Sequence, residues 1–193
     1  NDYRMQENLD AAYLQVSWDR HAGHLTAGSR LERTHFSASG KQISAGQITD
    51  LQKQRDYQNW LPSVHARYDF DQQTSLRAAW TSALVRANFS QLAPGTNLIS
   101  NTEAQIGNPD LQAMTARGLD LGVEKLLAHD GVVSAYLFHK DVRNFTYTTN
   151  LAGSAAWKNY SSVVSYANGG DGTLNGLELA YSQPLKMLPA PWN

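Results

Sequence analysis

Cysteine is absent from the 193 residues, which excludes disulfide bonds, cysteine-ligated zinc or iron–sulfur centres and thiol redox chemistry. An excess of charge is missing as well. The 16 Lys and Arg against 17 Asp and Glu leave a formal net charge of -1, and no basic run is interleaved with aromatics, so nucleic acid is not an expected partner. No apolar run approaches the roughly 20 residues of a membrane helix. The opening residues, "NDYRMQENLDAAY", carry no charged segment followed by an apolar one. None of this excludes a membrane, because transmembrane strands give only a weak alternating signal that averaging removes. The mean hydropathy of -0.47 therefore decides nothing.

What the sequence does contain is alternation. In "GLDLGVEKL", Leu119, Leu121 and Val123 interleave with Asp120, Gly122 and Glu124, the period-two pattern of a strand with one apolar and one polar face. Similar stretches at 9–18 and 24–36, 61–70 and 74–86, and 117–127 and 131–148 come in pairs, each pair joined by a short turn-rich link, and a single stretch follows at 173–183. The pairs are separated by polar segments at 37–60, 87–116 and 149–172. These read as long loops, with a charged, helix-compatible insert at 50–58. Short turns at one end of the strands and long loops at the other are the asymmetry of an outer-membrane β-barrel. A 41% hydrophobic and 10% aromatic composition is compatible with a folded chain.

The pair at 61–86 shows the two faces plainly. Val64, Ala66, Tyr68 and Phe70, then Leu76, Ala78, Trp80 and Leu84, share one side, while Ser63, His65, Arg67 and Asp69, then Arg77, Ala79 and Thr81, share the other. Trp18, Phe70 and Tyr181 fall on the apolar register just before short turns, where an interfacial aromatic girdle would lie. The fold class expected is all-β: a partial antiparallel up-and-down transmembrane barrel of about seven long strands. A soluble sandwich would also bury one face, but it has little need of strands this long or loops this one-sided.

"NWLPSVHARYDFDQQTSLRAAWTSALVRANFSQLAP" (59–94) resembles the barrel segment of TonB-dependent outer-membrane receptors. In that family a G-N-P-x-L loop leads into an acidic and apolar alternating strand, matched here by Gly107, Asn108, Pro109 and Leu111, then Asp120, Leu121 and Glu124. "VSAYLFHKDVRNFTYT" (133–148) resembles the return strand. "NGGDGTLNGLELAYSQPLKMLPAPW" (168–192) is similar to the next descending strand and turn in the sub-group found in Xanthomonas- and Caulobacter-like bacteria.

The resemblance implies a Gram-negative outer-membrane location and energised import of a scarce nutrient, a siderophore, cobalamin or oligosaccharide. Lipid, the receptor's own plug domain, TonB and that small ligand are the implied partners. The whole of 1–193 is expected to be one piece of a single barrel domain, without plug, energy-coupling box or barrel-closing strand, since about eight strands are the minimum for a closed bacterial barrel.

No catalytic constellation is evident, and neither a cofactor nor an enzymatic activity is expected. His21 and His24 lie around a turn near Asp19, a pattern more often solvated than metal-binding. His65 and His139 stand isolated within strands. "GGDGTLNG" (169–176) precedes a strand rather than the helix a phosphate cradle needs. If the apolar face meets lipid, Arg30, Glu32, Arg67, Arg77, Asp120 and Glu124 line the lumen, where they serve the plug interface or the substrate path. The loops supply Trp157 and Tyr160 as stacking faces and Asn101, Asn159 and Asn168 as donors and acceptors for a ligand. A passive or adhesive outer-membrane barrel and a soluble carbohydrate-binding sandwich remain the alternative readings.

Overall fold

A computed structural model of the chain describes residues 3–44 and 46–184. The elements in chain order are the long strands β1 (Tyr3–Arg20), β2 (Gly23–Ser44), β3 (Gln47–Asp69) and β4 (Thr74–Val85), the one-turn helix α1 (Phe89–Leu92), the short strands β5 (Thr96–Leu98) and β6 (Glu103–Ile106), the long β7 (Met114–Leu127) and β8 (Gly131–Arg143), the short β9 (Thr146–Asn150) and β10 (Ser162–Asn168), and β11 (Gly172–Ser182). The long strands form one 7-stranded antiparallel sheet in the order β1-β2-β3-β4-β7-β8-β11. The short ones form a 4-stranded sheet, β5-β6-β10-β9, in which β6 and β10 run parallel.

Three tight connections lie at one end of the large sheet. Between β1 and β2 the chain reverses at His21, which adopts a left-handed conformation at φ 51°. Between β3 and β4 the Asp71 carboxylate accepts the amides of Gln73 and Thr74, both at 2.7 Å. Those two amides, Gln73's foremost, hold its carboxyl below the ordinary aspartate range. Between β7 and β8 lies a single 3₁₀ turn at Ala128–Asp130.

Direct pairing puts opposed residues on one face, so the register reads out the wall row by row. On the outward face Ala66 lies opposite Ala78, which lies opposite Leu121, and Val64 opposite Trp80 opposite Leu119. On β1 to β3 the row Ala12–Leu31–Trp60 is followed at once by Asp10–Arg33–Gln58. Neighbouring strands thus switch from apolar to polar together, which defines the upper edge of an apolar band. Trp60 and Trp80 lie at that edge, and the Trp60 indole donates to Ser29 Oγ at 2.6 Å. Trp18, Phe70 and Tyr181 are exposed at the lower edge, with Tyr68 meeting Phe70 edge to face at 5.1 Å. The band has aromatics at both rims, of which the upper pair escaped the sequence reading.

The segment 37–60 is not a loop, and 50–58 is not helical. β2 and β3 have 22 and 23 residues and pair to their tips, closing on a turn with Gly46 at φ 76°. At about 3.3 Å per residue these strands are about 70 Å long, whereas about 9–11 residues cross a bilayer. Beyond the band neither face meets lipid, so the apolar alternation that marks a strand vanishes while the backbone pairing continues. The other two long connections contain α1 and the 4-stranded sheet. The strand expected over 131–148 breaks at Asn144, left-handed at φ 56°, and its remainder joins the small sheet as β9. The turn expected beyond 184 lies outside the described residues.

Ala78 and Ala79 give a direct test of the faces. In the full-length barrel, Ala78→Arg is expected to lose about 2–4 kcal/mol of folding stability, the cost of an arginine facing mid-bilayer lipid. Ala79→Arg, facing His65 and Asp120, is expected to lose far less. Unfolding titrations in lipid vesicles measure the difference.

Candidate ligand-facing mouth and inner face

The six charged residues expected in the lumen share one face of the sheet, opposite the apolar band and called here the inner face. Arg30 bonds Glu32 at 2.6 Å, and Arg77 bonds Glu124 at 2.8 Å. Arg67 lies directly opposite Arg77, a like-charged pairing that would be unfavourable alone. Each cation has its own carboxylate, because Arg67 bonds Asp69 at 2.7 Å. Asp120 lies between Ala79 and Phe138. The Tyr136 hydroxyl donates to Glu124, and its ring lies across Gly122, where an added Cβ would fall 2.1 Å from a ring carbon. Any larger residue there would push that ring aside.

Sequence reasoning missed Arg86. It follows β4, and its guanidinium reaches Glu32 at 2.5 Å, Thr34 Oγ1 at 3.1 Å and Glu7 at 3.4 Å, joining three strands through one side chain. Nothing local announces this, since its partners lie far away in sequence. His24 is held between Asp19 at 2.7 Å and Asp69 at 3.4 Å. Among the described residues no group of three or more histidine and acidic side chains is arranged to hold a metal ion.

Above the band, the connections fold onto this inner face. Leu92 of α1 and Leu111 pack with Phe36 and Ala38 of β2. Asn88 caps α1 and exchanges bonds with Gln91, whose carbonyl accepts the Asn108 amide at 2.6 Å. The G-N-P-x-L motif is a clasp: a Cβ on Gly107 would meet the Ala93 carbonyl at 2.4 Å, and the Asn108 side chain donates to the Tyr166 carbonyl at 2.9 Å. Arg55 of β3 donates to the carbonyls of Pro109 and Leu111, at 3.1 and 2.6 Å, and Lys53 pairs with Asp110 at 2.6 Å. The residues that carried the resemblance thus bind the connection to the wall.

Of the loop residues nominated for ligand contact, the structure brings some into the core and leaves others at the surface. Trp157 is 4% exposed and packs with Ala104, Ile106 and Val163, while Tyr160 meets it edge to face at 4.8 Å. In this arrangement the indole face is covered by protein and is not offered to a ligand. The Asn168 side chain is committed to Gln112 and the Asn144 carbonyl. Asn101 and Asn159 are exposed, and Leu98 and Ile99 form an exposed apolar tip beside Asn101.

An apolar outward band bounded by aromatics, a charged inner face and a packed mouth define a section of outer-membrane β-barrel wall. Residues 1–193 match the family model described as TonB dependent receptor-like, beta-barrel, and the chain belongs to that family. Its members are outer-membrane receptors and transporters of Gram-negative bacteria, not enzymes. Among similar solved structures are the Serratia marcescens hemophore receptor HasR, at TM-score 0.68 and 16% identity over 93% of this chain and 32% of that one, and the Escherichia coli ferric-catecholate import receptor Fiu, at 0.64 and 13% over 95% and 26%. The Pseudomonas aeruginosa siderophore receptor PirA matches at 0.56 and 16% over 93% and 40%. The chain therefore spans roughly a third of the length of these proteins. A comparison with curated proteins gave no match.

Trp157→Ala is expected to loosen the small sheet by about 3–5 kcal/mol, the usual range for removing a core tryptophan, while the large sheet stays inserted. Hydrogen exchange across 146–168 in the full-length barrel should rise, with exchange in β7 and β8 unchanged.

Proposed function

We propose that this chain is a section of a receptor barrel that captures a scarce nutrient at the cell surface and imports it actively, with TonB and a plug domain acting in the full-length protein. The observation that carries the reading is the match over the whole of 1–193 to a receptor-barrel family. Similar structures are of a hemophore receptor with heme, a siderophore receptor, a copper transporter and a ferric-catecholate import receptor, which favours a metal complex over cobalamin or an oligosaccharide. The stretch 168–192 supports the Xanthomonas- and Caulobacter-like sub-group. In this reading 1–193 belongs to one barrel domain, and Arg30, Glu32, Arg67, Arg77, Asp120 and Glu124 face the plug or the substrate path.

Ligand contact falls to the exposed part of the mouth: the tip from Leu98 to Asn101, and Asn159. Trp157, Tyr160 and Asn168 support it from beneath. The deciding experiment measures uptake of labelled ferric siderophores, heme, cobalamin and maltooligosaccharides by cells bearing the intact receptor, with and without an uncoupler. Energised import predicts that uptake of one compound collapses with the proton-motive force. Uptake indifferent to the uncoupler would instead identify a passive barrel. For the compound taken up, Asn101→Ala with Asn159→Ala should weaken binding about tenfold, since two neutral hydrogen bonds contribute about 0.5–1.5 kcal/mol each.

A further inference from the structure

The outward face carries a trough that import does not use. Near the tight-turn end, the row Val123–Ala135–Leu179 crosses β7, β8 and β11, and the row below it is Lys125–Val133–Tyr181. Ala135 is the shortest side chain of its row, so the surface dips between Val123 and Leu179 into an apolar trough of about 460 Å³ that Val133, Tyr181 and Lys125 also border. Above it the row Leu121–Leu137–Leu177 extends the apolar surface toward mid-bilayer.

Depth and charge say what fits. Tyr181 belongs to the lower aromatic rim, the level at which lipid headgroups begin. Lys125, exposed in the same row and bordering the trough, carries its ammonium at that level on a long apolar stem. Asp71 in the neighbouring turn is electrostatically coupled to it, but one of its oxygens already accepts the Gln73 and Thr74 amides. A hydrocarbon slot ending at a cation at the headgroup level matches one acyl chain attached to a phosphate.

We propose that this trough is a site for an anionic phospholipid of the periplasm-facing leaflet, with one acyl chain over Ala135 and the phosphate on Lys125. The site rests on the membrane register of the wall and not on the import reading, so either stands if the other fails. The attraction of a basic side chain for anionic headgroups supplies the selectivity, and the shape of the trough supplies the residence.

The full-length receptor, reconstituted in vesicles of equal phosphatidylglycerol and phosphatidylcholine and then extracted in mild detergent, tests the proposal by native mass spectrometry of retained lipid. The wild type is expected to retain phosphatidylglycerol several-fold over phosphatidylcholine. Lys125→Gln should abolish that preference, and Ala135→Leu, which fills the trough, should lower total retention with the barrel's melting temperature unchanged. Arg20→Gln, at the same end of the wall but away from the trough, should change neither. Equal retention of the two lipids by the wild type, a preference that survives Lys125→Gln, or a trough occupied by a second copy of the receptor in a lipid-free dimer would overturn it.

Discussion

A strand that crosses hydrocarbon has no water to satisfy its backbone, so every amide and carbonyl along the crossing rows must pair with an adjacent strand. That requirement sets the order and register of the 7-stranded sheet. Because side chains alternate strictly, a slip of one residue would turn every Arg and Glu of the inner face into the bilayer and every Leu of the band into the lumen. The two registers differ by many kcal/mol, and the tight turns have only to agree with the one the membrane selects. The near-simultaneous change from apolar to polar along adjoining strands is that selection made visible.

The inner face solves a different problem. Its charges are cheap where water reaches them, but arginines aligned across neighbouring strands repel, and the sheet answers with a carboxylate for each. Arg86 extends the arrangement by linking β1, β2 and the end of β4 through a single guanidinium. The more exposed pairs, Arg67 with Asp69 and Arg77 with Glu124, contribute modestly to stability. Their role is to fix the direction of side chains along a wet wall.

Above the membrane no lipid enforces a pattern, and packing takes over. Leu92 and Leu111 cover Phe36 and Ala38 of β2, and a second cluster around Trp157 and Val163 knits the small sheet together. The mouth is therefore a structured module with a few exposed residues at its tips. A rim ordered in advance loses less conformational entropy on binding than a mobile loop, which is what the proposed function asks of it.

The sequence by itself determined whatever depends on one side of a strand meeting lipid: the alternation at 61–86 and 117–127, the opposed faces of Ala78 and Ala79, the lower aromatics and the three tight turns. Each is a local consequence of period two. The G-N-P-x-L motif was likewise visible, though not what it clasps. Only the tertiary structure decided that 37–60 is strand, because backbone pairing without an apolar face leaves no periodic signal. It alone placed Arg86 against glutamates far away in the chain, and it turned Trp157 inward although its composition suited a binding loop equally well. Whether an aromatic in a polar segment faces water or fills a core depends on which other segments arrive beside it, and that is settled by Ala104, Ile106 and Val163, residues brought from two different connections.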